Sequence, residues 1–539
     1  MARPKSNSVP AMPRLLLSLA LAAGTVGLHP PLARAAEPLH VRIDAAIEAR
    51  AKAENVTLAL PADDAEFLRR AYLDFAGTIP TAEQAKTFLA DKAADKRLKL
   101  IDSLLNSPTY AIRMADLFHV ALMERLGDNA EWSKYLRESF AKNKPYDQLV
   151  REMLRANPKD TSTAGAAFWL SKRLENYGQN PVDYSALTRD VGRLFLGKNF
   201  QCCECHDHLF IEDYKQQHFQ GLHTFFKNTY LVNAAKLIVA EKVLAEKTGF
   251  ASVFTKVQMA TGPSLPGMMM IDIPMFAKGM EFAIPPDKKA NEPGVPKFST
   301  LAAISEQLPT AKNTDFSRNA VNRIWFAVMG RGLVHPLDLH HSRNPASHPE
   351  LLTLLADEFA ANKFDIKWLL RELALTKTYQ RSSVVPAGKD APDARLFAVA
   401  LEKRLSADQL LNAMLAATGN EPKAADTLRP KFLKAFANQP REPEDEVAPS
   451  LKGALFVLHD TAVLELVVTK PGNLVERAAK LDDAAATDEL YLSVLTRKPT
   501  TEERAAVVKM LAKHPEKRVE AVGRVAWALL ASMEFGVNH

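Results

Sequence analysis

Residues 188–199 read TRDVGRLFLGKN, and one residue later, at 201–208, the chain reads QCCECHDH. A helix, a short loop and a run of potential ligands is the order expected from these two stretches. The second contains Cys202-x-x-Cys205-His206, the spacing by which a c-type haem is attached covalently. Two thiols three positions apart can each form a thioether to a haem vinyl group, and the adjacent imidazole can serve as the axial ligand. The chain has only 3 cysteines, all within this run.

Other chemistries suit the same residues. Cys202 and Cys205 with two of His206, His208, His218 and His223 would make a Cys2His2 set for a closed structural zinc site. A Cys202–Cys205 or Cys203–Cys205 disulfide with solvated histidines is the third option. For a haem, His208 lies too near along the chain to reach the opposite face of the ring. Distal candidates are therefore His218, His223, Met268, Met269, Met270 and Met275, a methionine raising the potential relative to a second histidine. Phe210, Phe219, Phe225 and Phe226 would line a haem slot or, as aromatic residues at helical spacing usually do, belong to the core.

The N-terminus reads as a secretory signal. Arg3, Lys5 and Arg14 form a basic region, 15–28 is a short apolar region, and Ala33-Arg34-Ala35 is a small-x-small cleavage site. Signal peptide 1–35 and mature chain from 36 are expected, with no transmembrane span after processing. Export, here to the periplasm, suits both haem attachment and disulfides, which belong outside the reducing cytosol. The formal charge of +6 includes four basic residues of the signal. The mature chain therefore carries about +2, which argues against nucleic acid as a partner.

Outward from the cysteine run, 36–230 reads as a helical domain. Leu98, Ile101, Leu104 and Leu105 share one face at helical spacing. Thr81 and Gln84 form a capping box after Pro80. Seven prolines between 263 and 296 break any long helix, so 231–310 reads as a small connector with strands at 252–259 and 280–284. Helices resume over 311–539, where Ser347 and Glu350 suggest another capping box with Pro349 in the first turn. A polar loop spans 440–446. The fold class expected is mainly α, two helical domains joined by a β-containing, proline-rich connector. A faint repeat links Tyr72-Leu73, Pro80-Thr81 and Gln84 to Tyr491-Leu492, Pro499-Thr500 and Glu503 at identical offsets, each copy ending in Ser-x-x-aromatic at Ser107/Tyr110 and Ser532/Phe535. A recurrent capped helical hairpin is the favoured reading of it over a duplication.

LRRAYLDFAGTIPTAEQ and LGKNFQCCECHDHLF together resemble the planctomycete cytochrome C-type domain of unknown function. FSRNAVNRIWFAVMGRGLVHPLDLHHSRNPASHPELL, ELALTKTYQRSS and the C-terminal DELYLSVLTRKPTTEE resemble the planctomycete secreted domain that follows it. The resemblance implies an exported protein named for its Cys-x-x-Cys-His motif and implies little about activity. This chain departs from the pattern at Cys203, a third thiol inside the motif, and at Leu339-His340-His341, where an acidic-aromatic pair is commoner.

The second domain carries Asn322, Arg323, Trp325, Arg331, Asp338, Asn344 and His348. These would bind an anion or perform acid–base chemistry, or Arg323 and Asp338 would be a structural ion pair, the reading favoured here. No nucleophile elbow, phosphate loop or paired-carboxylate spacing accompanies them, so no enzymatic class is assigned. The expectation is an exported c-type haem protein, an electron carrier or redox module with a redox or secreted protein partner. The alternative is a secreted binding or scaffold protein with a structural zinc site.

Overall fold

Many of the helices begin where a side chain can satisfy their free amides. Thr81 accepts from the Gln84 amide and Gln84 answers at the Thr81 amide, so helix Ala82–Ala90 starts in the expected capping box. Asp183 caps Tyr184–Leu196, the helix leading to the cysteines, and Gly197 ends it at φ 66°. Left-handed backbone there closes the C-terminus and turns the chain toward the ligand run.

The computed structural model describes residues 37–539 apart from 157–159, 177, 288, 290–291, 422–423 and 442–449. The expected signal peptide and most of the polar loop at 440–446 lie outside the described residues. Leu39–His539 packs as one compact unit. The described residues form 22 α-helices and eight short strands, paired into four two-stranded antiparallel sheets. The protein is mainly α.

The connector holds three hairpins: Thr229–Asn233 with Ile238–Glu241, Thr248–Ala251 with Gln258–Thr261, and Phe282–Ile284 with Val295–Pro296. The strand expected over 252–259 begins only at Gln258. Residues 252–257 form the reversal instead, with Lys256 at φ 57°. Val253, Phe254 and Val257 are exposed, so no sheet face buries them. The capping box expected at Ser347 and Glu350 is not formed either. Helix Pro349–Ala361 starts one residue later, with His348 at the cap and no side-chain cap bond. The Ser347 hydroxyl pairs with His348 Nδ1 at 3.1 Å instead.

One hydrophobic core runs through the sequence boundaries. It gathers Phe67, Trp132, Trp169 and Phe195 with Phe316, Trp325, Phe359 and Tyr379. Tyr146 stacks on Phe316 at 5.4 Å, joining the two ends of this set. A second cluster is C-terminal but includes Leu73 and Ile79.

The repeat has a geometric counterpart. Gly77 and Thr496, each five residues after the tyrosine, both take positive φ, at 70° and 64°. Thr500 and Glu503 form the second capping box. Ser107 and Ser532 each donate to a carbonyl three residues back at 2.7 Å and accept from the aromatic residue's amide. The copies also touch: Leu492 packs with Ala82 and Ala85, and Lys86 pairs with Glu489 at 2.7 Å.

Candidate functional site

The cysteine run sits on a short 3-10 turn, Gln201–Glu204, after helix Tyr184–Leu196. The turn points its thiols in different directions. Cys203 is buried in the main core, while Cys202 and Cys205 are exposed, and all three are free thiols. Burial, then the neighbouring Cys202, pushes the Cys203 thiol up to about 12. The extra cysteine of the motif is thus an inert core residue, and the two motif cysteines face outward.

His206 follows with Nδ1 at 2.6 Å from the Asp207 carbonyl oxygen. A carbonyl only accepts, so Nδ1 carries the proton and donates, leaving the Nε2 lone pair for a metal. The Cys205 carbonyl accepts from the Val253 amide at 3.0 Å. That bond seats the 252–257 reversal beside the motif, and the Phe254 ring lies 4.6 Å from the His206 ring. Phe254 is 63% exposed, and Leu209 and Phe210, which follow His208 in the chain, are 64% and 69% exposed.

The turn is held from two directions. From helix Gln216–Thr224, the Gln216 amide donates to Asp207 at 2.8 Å, and Gln220 donates to the Glu204 carbonyl at 3.1 Å. The Glu204 carboxylate accepts from Ser185 at 2.6 Å and Arg189 at 2.7 Å. From the C-terminal half, residues 338–343 run alongside. The Asn199 amide donates to the Asp338 carbonyl at 3.0 Å, and the His340 amide donates to the Gly197 carbonyl at 2.9 Å. Tyr214 donates to the His340 carbonyl at 3.2 Å, Ser342 donates to Asp213 at 2.6 Å, and Arg343 donates to the Phe210 carbonyl at 3.0 Å. Leu339-His340-His341, the second departure from the family pattern, is therefore part of the brace behind the motif.

The distal candidates are scattered. His218 and His223 lie on helix Gln216–Thr224 against Phe200 and Phe219, each with a buried Nδ1 that has no hydrogen-bond partner among the described residues. Burial lowers both below the usual histidine range, which keeps their lone pairs available. Met270 Sδ accepts from the Gly262 amide at 2.9 Å, Met268 packs on the core, and Met269 and Met275 are exposed. Among the described residues no three His, Cys, Asp or Glu side chains gather as a metal site would need, and the Cys2His2 set is not drawn together. Phe219, Phe225 and Phe226 are core residues, whereas Phe210 is not.

The polar set of the second half is structural in its contacts. Arg323 pairs with Asp338 and donates to the Arg193 carbonyl at 2.9 Å. Arg193 joins Asp338 at 2.9 Å to Glu124 at 2.7 Å and Asp190 at 3.2 Å, and Arg173 holds the far side of Asp190 at 2.8 Å. Three arginines and three carboxylates thus neutralise one another beneath helix Tyr184–Leu196. Burial alone would raise Asp338, but Arg323 and Arg193 outweigh it and hold the carboxyl below its usual range. Asn322 exchanges bonds with Val334, donating at 2.8 Å and accepting at 2.9 Å. Asn344 donates to the Leu339 carbonyl at 3.0 Å. His348 is buried apart from these groups, with burial depressing it to about 4, and Arg331 is half-buried. Sequence reasoning missed Arg193, Glu124 and Phe254. Arg193 stands in the quoted helix, yet nothing local to Glu124 or Phe254 marks them.

No helix among the described residues is long and apolar enough to cross a membrane. No curated protein and no solved structure matches the chain. Residues 42–230 match PSCyt2, a protein of unknown function (DUF1549), and residues 302–439 match PSD1, a protein of unknown function (DUF1553). The cysteine turn falls in the first region and its brace in the second, in the order of that pairing, so the chain belongs to the two-domain family of PSCyt2 followed by PSD1.

Proposed function

We propose that this is an exported, periplasmic c-type haem protein acting as an electron carrier or as the redox module of a larger assembly. The observation that carries the reading is the pairing of two exposed free thiols, Cys202 and Cys205, with a His206 whose Nδ1 is occupied by a carbonyl. The donor set suits the group: Cys202 and Cys205 would hold it by thioether bonds and His206 by Nε2. Bound there, a haem supplies one-electron transfer. Phe254, Leu209 and Phe210 supply apolar contact that would exclude water and set the local dielectric. The brace from 338–343 fixes the turn's position, and Asp207 fixes the ring of His206. A redox or secreted protein is the partner class that fits.

The test is the intact mass of the mature chain, with a pyridine haemochrome spectrum, after expression in a host able to mature c-type cytochromes. A gain of one haem mass with a Soret band, absent in Cys202→Ala/Cys205→Ala, is expected. No haem on a folded protein from such a host overturns the reading.

A further inference from the structure

Away from the cysteine turn, a cavity of about 660 Å³ lies between helix Pro108–Met123, helix Thr314–Met329 and the segment 402–409. Its size falls within the range of small-molecule sites. Part of the lining is apolar and includes Phe118, Leu194, Ile324 and Leu370. The rest of the lining is largely polar, and most of its buried charges are already matched. Asp74 accepts from Lys403 at 2.6 Å, Asn538 at 2.8 Å and Tyr379 at 3.0 Å. Asp408 is held by Arg429 at 2.7 Å.

Glu402 and Arg404 are exposed, and of the remaining charged lining groups two make no ion pair among the described residues. Arg113 is 9% exposed, and its one hydrogen bond among the described residues is a long one, from Nε to the Asp74 carbonyl at 3.4 Å. Asp116, one turn further along the same helix, makes no hydrogen bond among the described residues. Neither group has an opposite charge of the described residues within the 4.0 Å of an ion pair. Burial, then Asp408, holds the Asp116 carboxyl above its usual range. Asp74, Asp116 and Asp408 lie near enough to act on the Arg113 charge, but its Nη atoms have no hydrogen bond among the described residues, which is costly for a largely buried guanidinium. Gly77, at φ 70°, lies against the Arg113 side chain, where a Cβ would stand 2.9 Å from its Cδ.

We propose that this cavity binds a small amphiphilic organic acid. Its carboxylate would meet the Nη atoms of Arg113, a hydroxyl or amine beside that carboxylate would donate to Asp116, and its apolar arm would lie along Phe118, Leu194, Ile324 and Leu370. Guanidinium and carboxylate make a charge-assisted pair, and Asp116 sits one helical turn away on the same face to read the neighbouring donor. The apolar part of the lining asks for a hydrocarbon or aryl group and disfavours small polar acids. The site is independent of the haem reading.

The experiment titrates the full mature chain with 3-phenyllactate, with 3-phenylpropanoate, which lacks the hydroxyl, and with 2-phenylethanol, which lacks the carboxylate. Binding is followed by ligand-observed NMR and calorimetry. Phenyllactate is expected to bind best, about tenfold or more tighter than either truncated probe. Arg113→Gln should abolish the preference for the acids over the alcohol. Asp116→Asn should reduce the preference for phenyllactate over phenylpropanoate. Asp116 has no hydrogen bond among the described residues to lose and is felt by Arg429, Arg113 and Arg137 only at a distance, so that variant keeps the test open if Arg113→Gln does not fold. Failure of all three probes to bind at about 10 mM, equal binding of the three, or a phenyllactate preference untouched by Asp116→Asn overturns the proposal.

Discussion

Three neighbouring cysteines have two different chemistries because a 3-10 turn rotates successive side chains by about a third of a circle. Cys203 points inward among core residues, and Cys202 and Cys205 point out. A thiol at about 12 is deprotonated to roughly one part in ten thousand at pH 8, and the thiolate is the nucleophile. Iodoacetamide on folded, haem-free protein should therefore alkylate Cys202 and Cys205 and leave Cys203 until denaturation, as peptide mass mapping would show. Labelling of Cys203 as fast as its neighbours would place it outside the core. The motif itself was legible in the sequence, because it is defined by spacing within five residues. The role of Asp74 was not. It lies in the LRRAYLDF stretch, but its partners Tyr379 and Asn538 stand 305 and 464 residues away, and only the folded chain brings them together.

Local signals also govern which elements could be foreseen. The capping boxes at Thr81 and Thr500 form as their sequences suggest, since each needs only four consecutive residues in a fixed conformation. Ser347 has the same signature and forms no box: helix Pro349–Ala361 begins one residue later, with His348 at its cap and the Ser347 hydroxyl against the His348 ring. The brace of 338–343 against 197–214 has no local signature at all. Its tightest point is Gly197, which ends helix Tyr184–Leu196. A Cβ there would stand 2.6 Å from His340 Cδ2 and 2.9 Å from Asn319 Oδ1, on backbone at φ 66°. Gly197→Ala should therefore combine left-handed strain with a clash against a packed imidazole, costing about 1–3 kcal/mol. Denaturant unfolding measures the cost directly. A variant as stable as the parent would mean that the brace yields freely and does not fix the cysteine turn. If the haem proposed above is bound, the same variant should load less of it than the parent in a maturing host.

At the scale of the molecule, the two matched regions are joined by buried charge as well as by apolar core, and this makes the joint sensitive to acid. His340 lies between the regions, facing Arg323, Lys198, Asp338 and Arg318. Burial, then Arg323 and Lys198, depresses it to about 3. The unfolded chain takes up a proton at this histidine near pH 6.5, and the folded chain does so only near 3. The stability it contributes is thus whole above about pH 6.5 and falls with a slope of up to about 1.4 kcal/mol per pH unit below that. Asp338 acts in the same direction at lower pH. Its carboxyl is held below the usual range, so its contribution is present above about pH 4 and is lost below that as the carboxyl protonates. Unfolding free energies measured from pH 7.5 to 4 should therefore decline steadily. His340→Asn should flatten that decline by close to one proton's worth of slope while lowering stability at neutral pH. Asp338→Asn should instead destabilise strongly at pH 7, because Arg193 and Arg323 lose their shared carboxylate, and its stability should change little below pH 4. If His340→Asn left the slope between pH 6.5 and 4 unchanged, His340 would be protonating in the folded chain. The joint between the regions would then be open to water, not sealed by the arginine and carboxylate network beneath the cysteine turn.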